Sequence, residues 1–329
     1  MTATLSRLDV PVAAGWWQRG AVPRGIPALM TTVAFTSCAK IQAVKKQKVW
    51  DEIAEREPDA LLLLGDNVYM KREDHNDPAQ LADDLDRHWL RQLAEPHFAA
   101  LLGQLKGRGA AVLASWDDHD AFGDDRCGGD IDPALVAAAR AVFHRRAPVT
   151  HTAPELYCRA DIGDATVLML DARSFRSATD AKSDRDGMLG AAQWRWLEAQ
   201  LASPRQRYTL VCNGSPLHDY RSEGWLAWPA ARERLVESLR DRPGVLFLGG
   251  DVHDNEIGQA DGVVEVVSSG IARISKVMRW KLGNYGVLEL KPEGVRVKLR
   301  GRQPKQRRNV WIPLDDWRVP KNERTNRNR

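Results

Sequence analysis

The stretch ALLLLGDNVYM, Ala60 to Met70, runs from five consecutive apolar residues into Gly65-Asp66 and reaches a phenol at Tyr69. A short, uniformly apolar run closed by glycine reads as a strand buried on both faces, as a parallel sheet covered by helices demands. Its polar end needs a separate reason. Aspartate after glycine serves as a turn residue, as the cap of a following helix, or as a ligand. In a helical turn, positions i and i+3 share a side, so Asp66 and Tyr69 could address one ion there.

Similar runs recur: TTVAFTSC (31–38), AAVLASWDDHD (110–120), TVLMLDAR (166–173), YTLVCNG (208–214), VLFLGGDVH (245–253) and VVEVVSSG (263–270). Helical patterns stand between them, over 40–57, 81–105, 133–148, 190–203 and 229–241, with Pro133 and Pro229 at first-turn positions. Alternation of strand and helix predicts an α/β fold with helices covering the sheets. No repeat or low-complexity linker divides residues 30–290. The expected organisation is an N-terminal arm over 1–29, one catalytic domain over 30–290 and a basic C-terminal extension over 291–329.

The chain carries 48 basic and 44 acidic side chains, a formal net charge of +4, so overall charge does not call for a nucleic acid or membrane partner. Charge is uneven locally: residues 291–329 are rich in Arg and Lys, which reads as a frayed tail or as an electrostatic handle for phosphate-bearing partners. No window approaches eighteen continuous apolar residues, and the N-terminus lacks a basic region followed by an apolar one. No transmembrane helix is expected, and a cytoplasmic location is the default. Cys38, Cys127, Cys158 and Cys212 lie far apart without a CxxC pair, poor material for a disulfide framework. The absence of GxxxxGK[ST], of GxGxxG after a strand, of GxSxG and of HExxH argues against a P-loop kinase, a Rossmann oxidoreductase, a serine hydrolase and a zincin.

Chemistry collects where the runs end. Cys38, Asp66, the Asp117-Asp118-His119 group, Asn213, and Asp251 with His253 each follow an apolar run. In open α/β sheets the carboxyl ends of the strands converge on one crevice, so these residues can meet. WDDHD crowds three carboxylates around one histidine, which is tolerated when they are solvated or when a cation neutralises them. Asp251 and His253 point the same way if their backbone is extended, and Gly249 and Gly250 would let the main chain approach a ligand. Asp171 and Arg173 end another run; Arg173 is either a clamp for phosphate oxygens or half of a structural ion pair.

In this order TSCAK, LLLLGDNVY, WDDHDAFGDD, LDARSFR, LGAAQWRWLEAQL, EGWLAWPAARERL and GVLFLGGDVHDNEI resemble the signature blocks of the PhoD-like (alkaline phosphatase D-like) metallophosphatases, over roughly residues 30–275. The resemblance implies the fold of the calcineurin-like and purple acid phosphatases: a four-layer α/β/β/α sandwich, two packed mixed β-sheets flanked by helices. It also implies a dinuclear centre. Cys38, Asp66, Tyr69 and His253 would hold Fe(III), and Asp66, Asp118, Asn213 and Asp251 would hold Ca(II), with Mn(II), Mg(II) or Zn(II) as substitutes at the second position. The ligand types agree, since a phenolate persists at neutral pH only beside a strongly polarising ion and an all-oxygen set suits a hard divalent cation. His218, in CNGSPLHD, is an alternative to Asn213.

The activity implied is hydrolysis of a small or polymeric phosphate ester, monoester or diester, by attack of a metal-bridging hydroxide. His119 would protonate the leaving group or donate to a phosphoryl oxygen. The rival reading is a catalytically silent, metal-stabilised protein that engages nucleic acid or anionic lipid through its basic C-terminal segment. The extra N-terminal domain and export signal of secreted relatives are not found in this sequence, which weighs against a periplasmic scavenging role.

Overall fold

The strand β2 (Ala60–Leu64) turns Leu61 and Leu63 to one face and Ala60, Leu62 and Leu64 to the other, and each set is buried in a different core. This is what an uninterrupted apolar run means in a sheet covered on both sides. The same division holds in β1 (Thr31–Thr36), where Ala34 opposes Val33 and Phe35, and in β3 (Ala111–Ser115), where Val112 and Ala114 oppose Leu113. The computed structural model describes residues 30–71, 74–150, 155–178, 180–218, 224–274 and 281–325. The expected N-terminal arm lies outside them.

Helices α1 (Val49–Ala54), α2 (Pro78–Leu93), α3 (Pro96–Arg108) and α4 (Pro133–Arg146) pack Trp50, Trp89, Phe98 and Phe143 onto the outer face of the first sheet. The second sheet contains β4 (Cys158–Ile162), β5 (Ala165–Met169), β6 (Tyr208–Cys212), β7 (Val245–Gly249), β8 (Asn255–Ala260) and β9 (Val263–Ser268). Its outer face is covered by α5 (Gly190–Ala202) and α6 (Pro229–Leu239) through Trp194, Leu197 and Leu235. Between the sheets lies a third core, with Val167, Leu210 and Leu246 from one side meeting Phe35, Leu62 and Leu113 from the other. Four layers, α/β/β/α, result.

Strand order is β12-β11-β10-β1-β2-β3 in the first sheet, completed by β10 (Tyr285–Lys291), β11 (Gly294–Arg300) and β12 (Arg308–Pro313), and β4-β5-β6-β7-β9-β8 in the second. Both sheets are mixed: β1-β2-β3 and β5-β6-β7-β9 are parallel, and the flanking pairs are antiparallel. The parallel blocks send β1, β2, β3, β5, β6 and β7 to one edge, where Cys38, Asp66, Asp118, Asn213 and Asp251 follow their strands.

Three expectations change. The boundary at residue 290 falls within β10, and residues 294–313 supply two strands whose Val295, Val297, Leu299, Val310 and Ile312 complete the inter-sheet core, so this basic segment is built into the fold. The helix expected over 40–57 forms only over Val49–Ala54, because the Gln47 amide donates to Glu95 Oε1 at 3.1 Å rather than to a preceding turn. The helix expected over 81–105 is two helices, broken where Pro96 opens α3 and Glu95 caps it by accepting from Phe98 N. Among the described residues no helix is long and apolar enough to cross a membrane.

Helices α2 and α4 are clasped by Asp86, which accepts from Arg145 Nη2 at 2.8 Å and from Arg146 Nε and Nη2 at 2.8 and 2.9 Å. Partial burial favours the neutral acid, but the hydrogen bonds from Arg146 and Arg145 outweigh it and lower the pKa. A carboxyl with a depressed folded pKa contributes stability above its unfolded value of about 3.9, and loses it as pH falls through the folded value. Asp86→Asn is expected to cost under about 1 kcal/mol at pH 7, given the exposure of the pair. The difference should shrink as pH falls below about 3.9 and on through the depressed folded value, a contrast that urea unfolding at about pH 7 and in acid checks.

Candidate metal centre

Cys38 follows β1, Asp66 follows β2, and both take positive φ, +62° and +54°, as do Asp251 at +65° and His253 at +55° after β7. Left-handed backbone at non-glycine residues is costly and persists where surrounding structure enforces it, commonly at functional sites. Here three loops interlock: a Cβ on Gly250 would stand 2.6 Å from Leu64 O and 2.7 Å from Gly214 O, so glycine lets the main chains cross. Gly250 therefore serves loop packing and not the ligand approach expected of it. Asp251 and His253 are not in extended backbone either, yet the turn still delivers His253 to the same place.

Asp66 is the hub. Its Oδ2 accepts from Tyr69 Oη at 2.7 Å and from Cys38 Sγ at 3.2 Å, while its Oδ1 accepts from the His119 amide at 3.3 Å. Asp66 and Tyr69 are brought together through bends and not through the helical turn expected. One ligand atom each from Cys38, Asp66 and His253 lie within 4.8 Å of one another, and the same is true of Asp66, Asp118 and His119. The Asp251 carbonyl stands 3.6 Å from Cys38 Sγ, which donates to it. Ser269, at the end of β9, donates to the same sulfur at 3.2 Å.

The site resists carrying its own negative charge. Burial raises the pKa of Asp66, with Asp118 adding to it. Burial followed by Asp66 and Asp251 raises that of Cys38, and burial followed by Asp66 and Cys38 raises that of Tyr69. Thiol, phenol and carboxylic acid are thus driven toward their protonated forms until a cation arrives. The donor set fits such a cation: one carboxylate is common to two ligand groups, and the buried Asp118 Oδ1 has no hydrogen-bond partner among the described residues.

A model of the family described as PhoD-like phosphatase matches residues 33–278. The chain belongs to the PhoD-like phosphatase family. That membership brings the class of chemistry, metal-dependent phosphoester hydrolysis. Among solved structures the chain is similar to that of PhoD, at 17% identity, with a TM-score of 0.67 and coverage of 92% of this chain and 73% of that one. It is similar to a dimetal phosphatase from Danio rerio at 14% identity, TM-score 0.56, covering 86% and 99%. It is also similar to GAP50, the anchor in the inner membrane complex of Plasmodium, at 11% identity, TM-score 0.53, covering 87% and 90%. These likenesses concern the fold. No curated protein matches by sequence.

Not every expected residue of this PhoD-like site meets the others. Asn213 is fully buried, and its Oδ1 accepts from Ser215 N at 2.5 Å. Its loop abuts that of Asp251 through Gly250 N donating to Gly214 O at 2.9 Å. His218 pairs instead with Glu265 Oε2 at 2.9 Å, inside the second sheet's edge. Arg173 is sealed at 0% exposure, with Nε on Asp117 Oδ1 and Nη2 3.8 Å from Asp118 Oδ1. The ion pair it makes is with Asp117 at the end of β3 and not with the neighbouring Asp171. Arg173 offsets the burial of Asp118, which with His119 and the Asp125 amide holds that carboxyl down at about 2. Arg173→Lys keeps the charge but loses the planar fork. It is expected to lower stability by about 2 kcal/mol while leaving KM for substrate unchanged, as thermal melts and kinetics together would show.

Asp120, Ser269, Lys40 and Arg273 were not singled out by sequence. Asp120 accepts from Asp66 N at 3.2 Å, Asn67 N at 2.8 Å, Asn67 Nδ2 at 2.6 Å and Asp117 N at 2.7 Å, stitching the β2 and β3 loops together. Ser269 follows the strand-end rule that found the others. Arg273 and Lys40 lie over the Tyr69 ring, each 4.8 Å from its centroid, and carry no motif that announces them.

Proposed function

We propose that the protein hydrolyses phosphate esters, with a preference for diesters, at a centre that holds Fe(III) through Cys38, Asp66, Tyr69 and His253 and a divalent ion, Ca(II) by the family resemblance, through Asp66, Asp118, Asn213 and Asp251. The observation that carries this reading is the sharing of Asp66 between the group of Cys38 and His253 and the group of Asp118 and His119. A mixed set of thiolate, phenolate, imidazole and carboxylate suits a trivalent or soft-tolerant ion, and the oxygen-dominated set suits a hard divalent one. When bound, such ions supply Lewis-acid stabilisation of phosphoryl oxygens and a source of nucleophile at neutral pH.

The chain's own residues supply orientation and a proton. The His119 ring rests on Tyr69, centroids 4.1 Å apart, and its Nε2 stands 3.5 Å from Asp124 Oδ1. At the rim of the site, His119 would serve as the acid that delivers a proton to the leaving oxygen. Ser269 and the Asp251 carbonyl orient the Cys38 sulfur, and Asp120 holds Asp66 in its left-handed turn.

Metal analysis with a panel of phosphoesters tests the reading. Iron near one equivalent per chain, turnover of an aryl phosphodiester, and a visible charge-transfer band that disappears in Tyr69→Phe are the expected results. A protein that binds no iron and keeps full turnover as Asp66→Ala would overturn it. The rival nucleic acid or lipid binder predicts binding that collapses with salt and survives loss of Asp66.

A further inference from the structure

Beside the metal centre lies a second, basic pocket whose two walls begin at that centre. From Lys40, over the Tyr69 ring, the chain continues to residues 44–49; from Arg273, over the same ring, it runs back to Ile271. An isolated bridge between Ala39 and Ala272 joins the two segments. Together with Lys281 and Arg302 they line a half-open cavity of about 120 Å³, with the buried Val44 and Ile271 in its lining. Ile271 and Arg273 are two residues apart, at most about 7 Å of chain, so the pocket adjoins the metal centre.

Lys46, Lys48, Lys281 and Arg302 line this cavity, all four exposed, and among the described residues none of their side chains pairs with a carboxylate. The acid that braces the wall, Glu95, is buried and spends its oxygens on Gln47 N and Phe98 N. Four like charges around one small concavity repel one another, and a compact polyanion relieves that repulsion. Arg302 offers a fork for two anionic oxygens, and the lysines offer point charges from the sides. The volume is that of roughly four waters at about 30 Å³ each, enough for one phosphate group.

We infer that this pocket binds a phosphate group remote from the ester that is cleaved, carried by the same substrate; the inference deepens the phosphoesterase reading and rests on it. The preferred substrates are then phosphoesters bearing a second phosphate, and Lys40 and Arg273 line the path between the two positions.

The test compares the full-length, metal-loaded protein with its K281Q/R302Q variant at matched ionic strength. Two substrates are used: thymidine 3′-(p-nitrophenyl phosphate) with and without a 5′-phosphate. The variant should raise KM for the 5′-phosphorylated ester about tenfold with kcat within about twofold, and leave both constants for the other ester unchanged. In calorimetry, inorganic tripolyphosphate should occupy one more site on the wild type than on the variant. Loss of that site with KM unchanged keeps the phosphate pocket and assigns it to a free oligophosphate. Unchanged KM together with unchanged tripolyphosphate binding overturns the inference. If the wild type cleaves neither ester, the phosphoesterase reading falls, and calorimetry alone still decides the pocket.

Discussion

Asp66→Asn should lower kcat/KM for an aryl phosphodiester by about 10³-fold or more and reduce the metal retained per chain. The reason is positional. Asp66 Oδ2 faces Cys38 and Tyr69, and Oδ1 faces the His119 and Asp118 side, so one carboxylate serves two groups. An amide keeps the shape but offers one neutral oxygen, and cannot supply charge to both. If cations contribute several kcal/mol to the transition state, losing about 4 kcal/mol corresponds to about 10³ in rate. Folding should suffer little without metal, because burial already disfavours the Asp66 anion. What should vanish is the rise in melting temperature that added metal gives the wild type. Retained metal with unchanged turnover would refute the assignment.

The fold was legible where strands are covered on both faces. The run ALLLL is apolar at every position because each residue meets one of two cores, and YTLVC follows the same rule apart from the buried Thr209; these became β2 and β6. Strands at the antiparallel margins escaped for the opposite reason. In β11 Val295, Val297 and Leu299 face the inter-sheet core, and Arg296, Lys298 and Arg300 alternate with them. That alternation is the signature of a strand with one buried face, but its charge drew attention as a tail. The β8-β9 hairpin carries a comparable sign in Asp261-Gly262, both at positive φ, a turn pair that sequence alone could have marked.

At the site, strand-end position was enough to bring forward Cys38, Asp66, Asp118, Asp251 and His253, since parallel strands deliver their ends to one edge. Which aspartate of WDDHD does what was not legible. Asp117 meets Arg173 from the end of β5, and Asp120 meets Asn67 from the end of β2, partners more than fifty positions away. Three identical side chains within four positions acquire different roles only from those distant loops.

Asp120 supports the second large effect. Asp120→Ala is expected to destabilise the metal-free protein by about 3–5 kcal/mol, because four donors lose one buried acceptor group at once. Asp120→Asn keeps an acceptor oxygen and should cost less. The pH dependence separates this role from a generic core effect. Burial raises the Asp120 pKa to about 7, against the pull of the amides of Asp117 and Asn67. With a folded value above the unfolded value of about 3.9, the native state holds an extra proton between them. The stability from this group is therefore fully present below about pH 3.9 and is lost as pH rises through about 7. Asparagine does not titrate, so the cost of Asp120→Asn should be larger at pH 5 than at pH 8. Denaturant unfolding of the metal-free proteins at both values measures it. An equal cost at pH 5 and pH 8 would mean that Asp120 stays ionised across the range and stitches the loops as an anion.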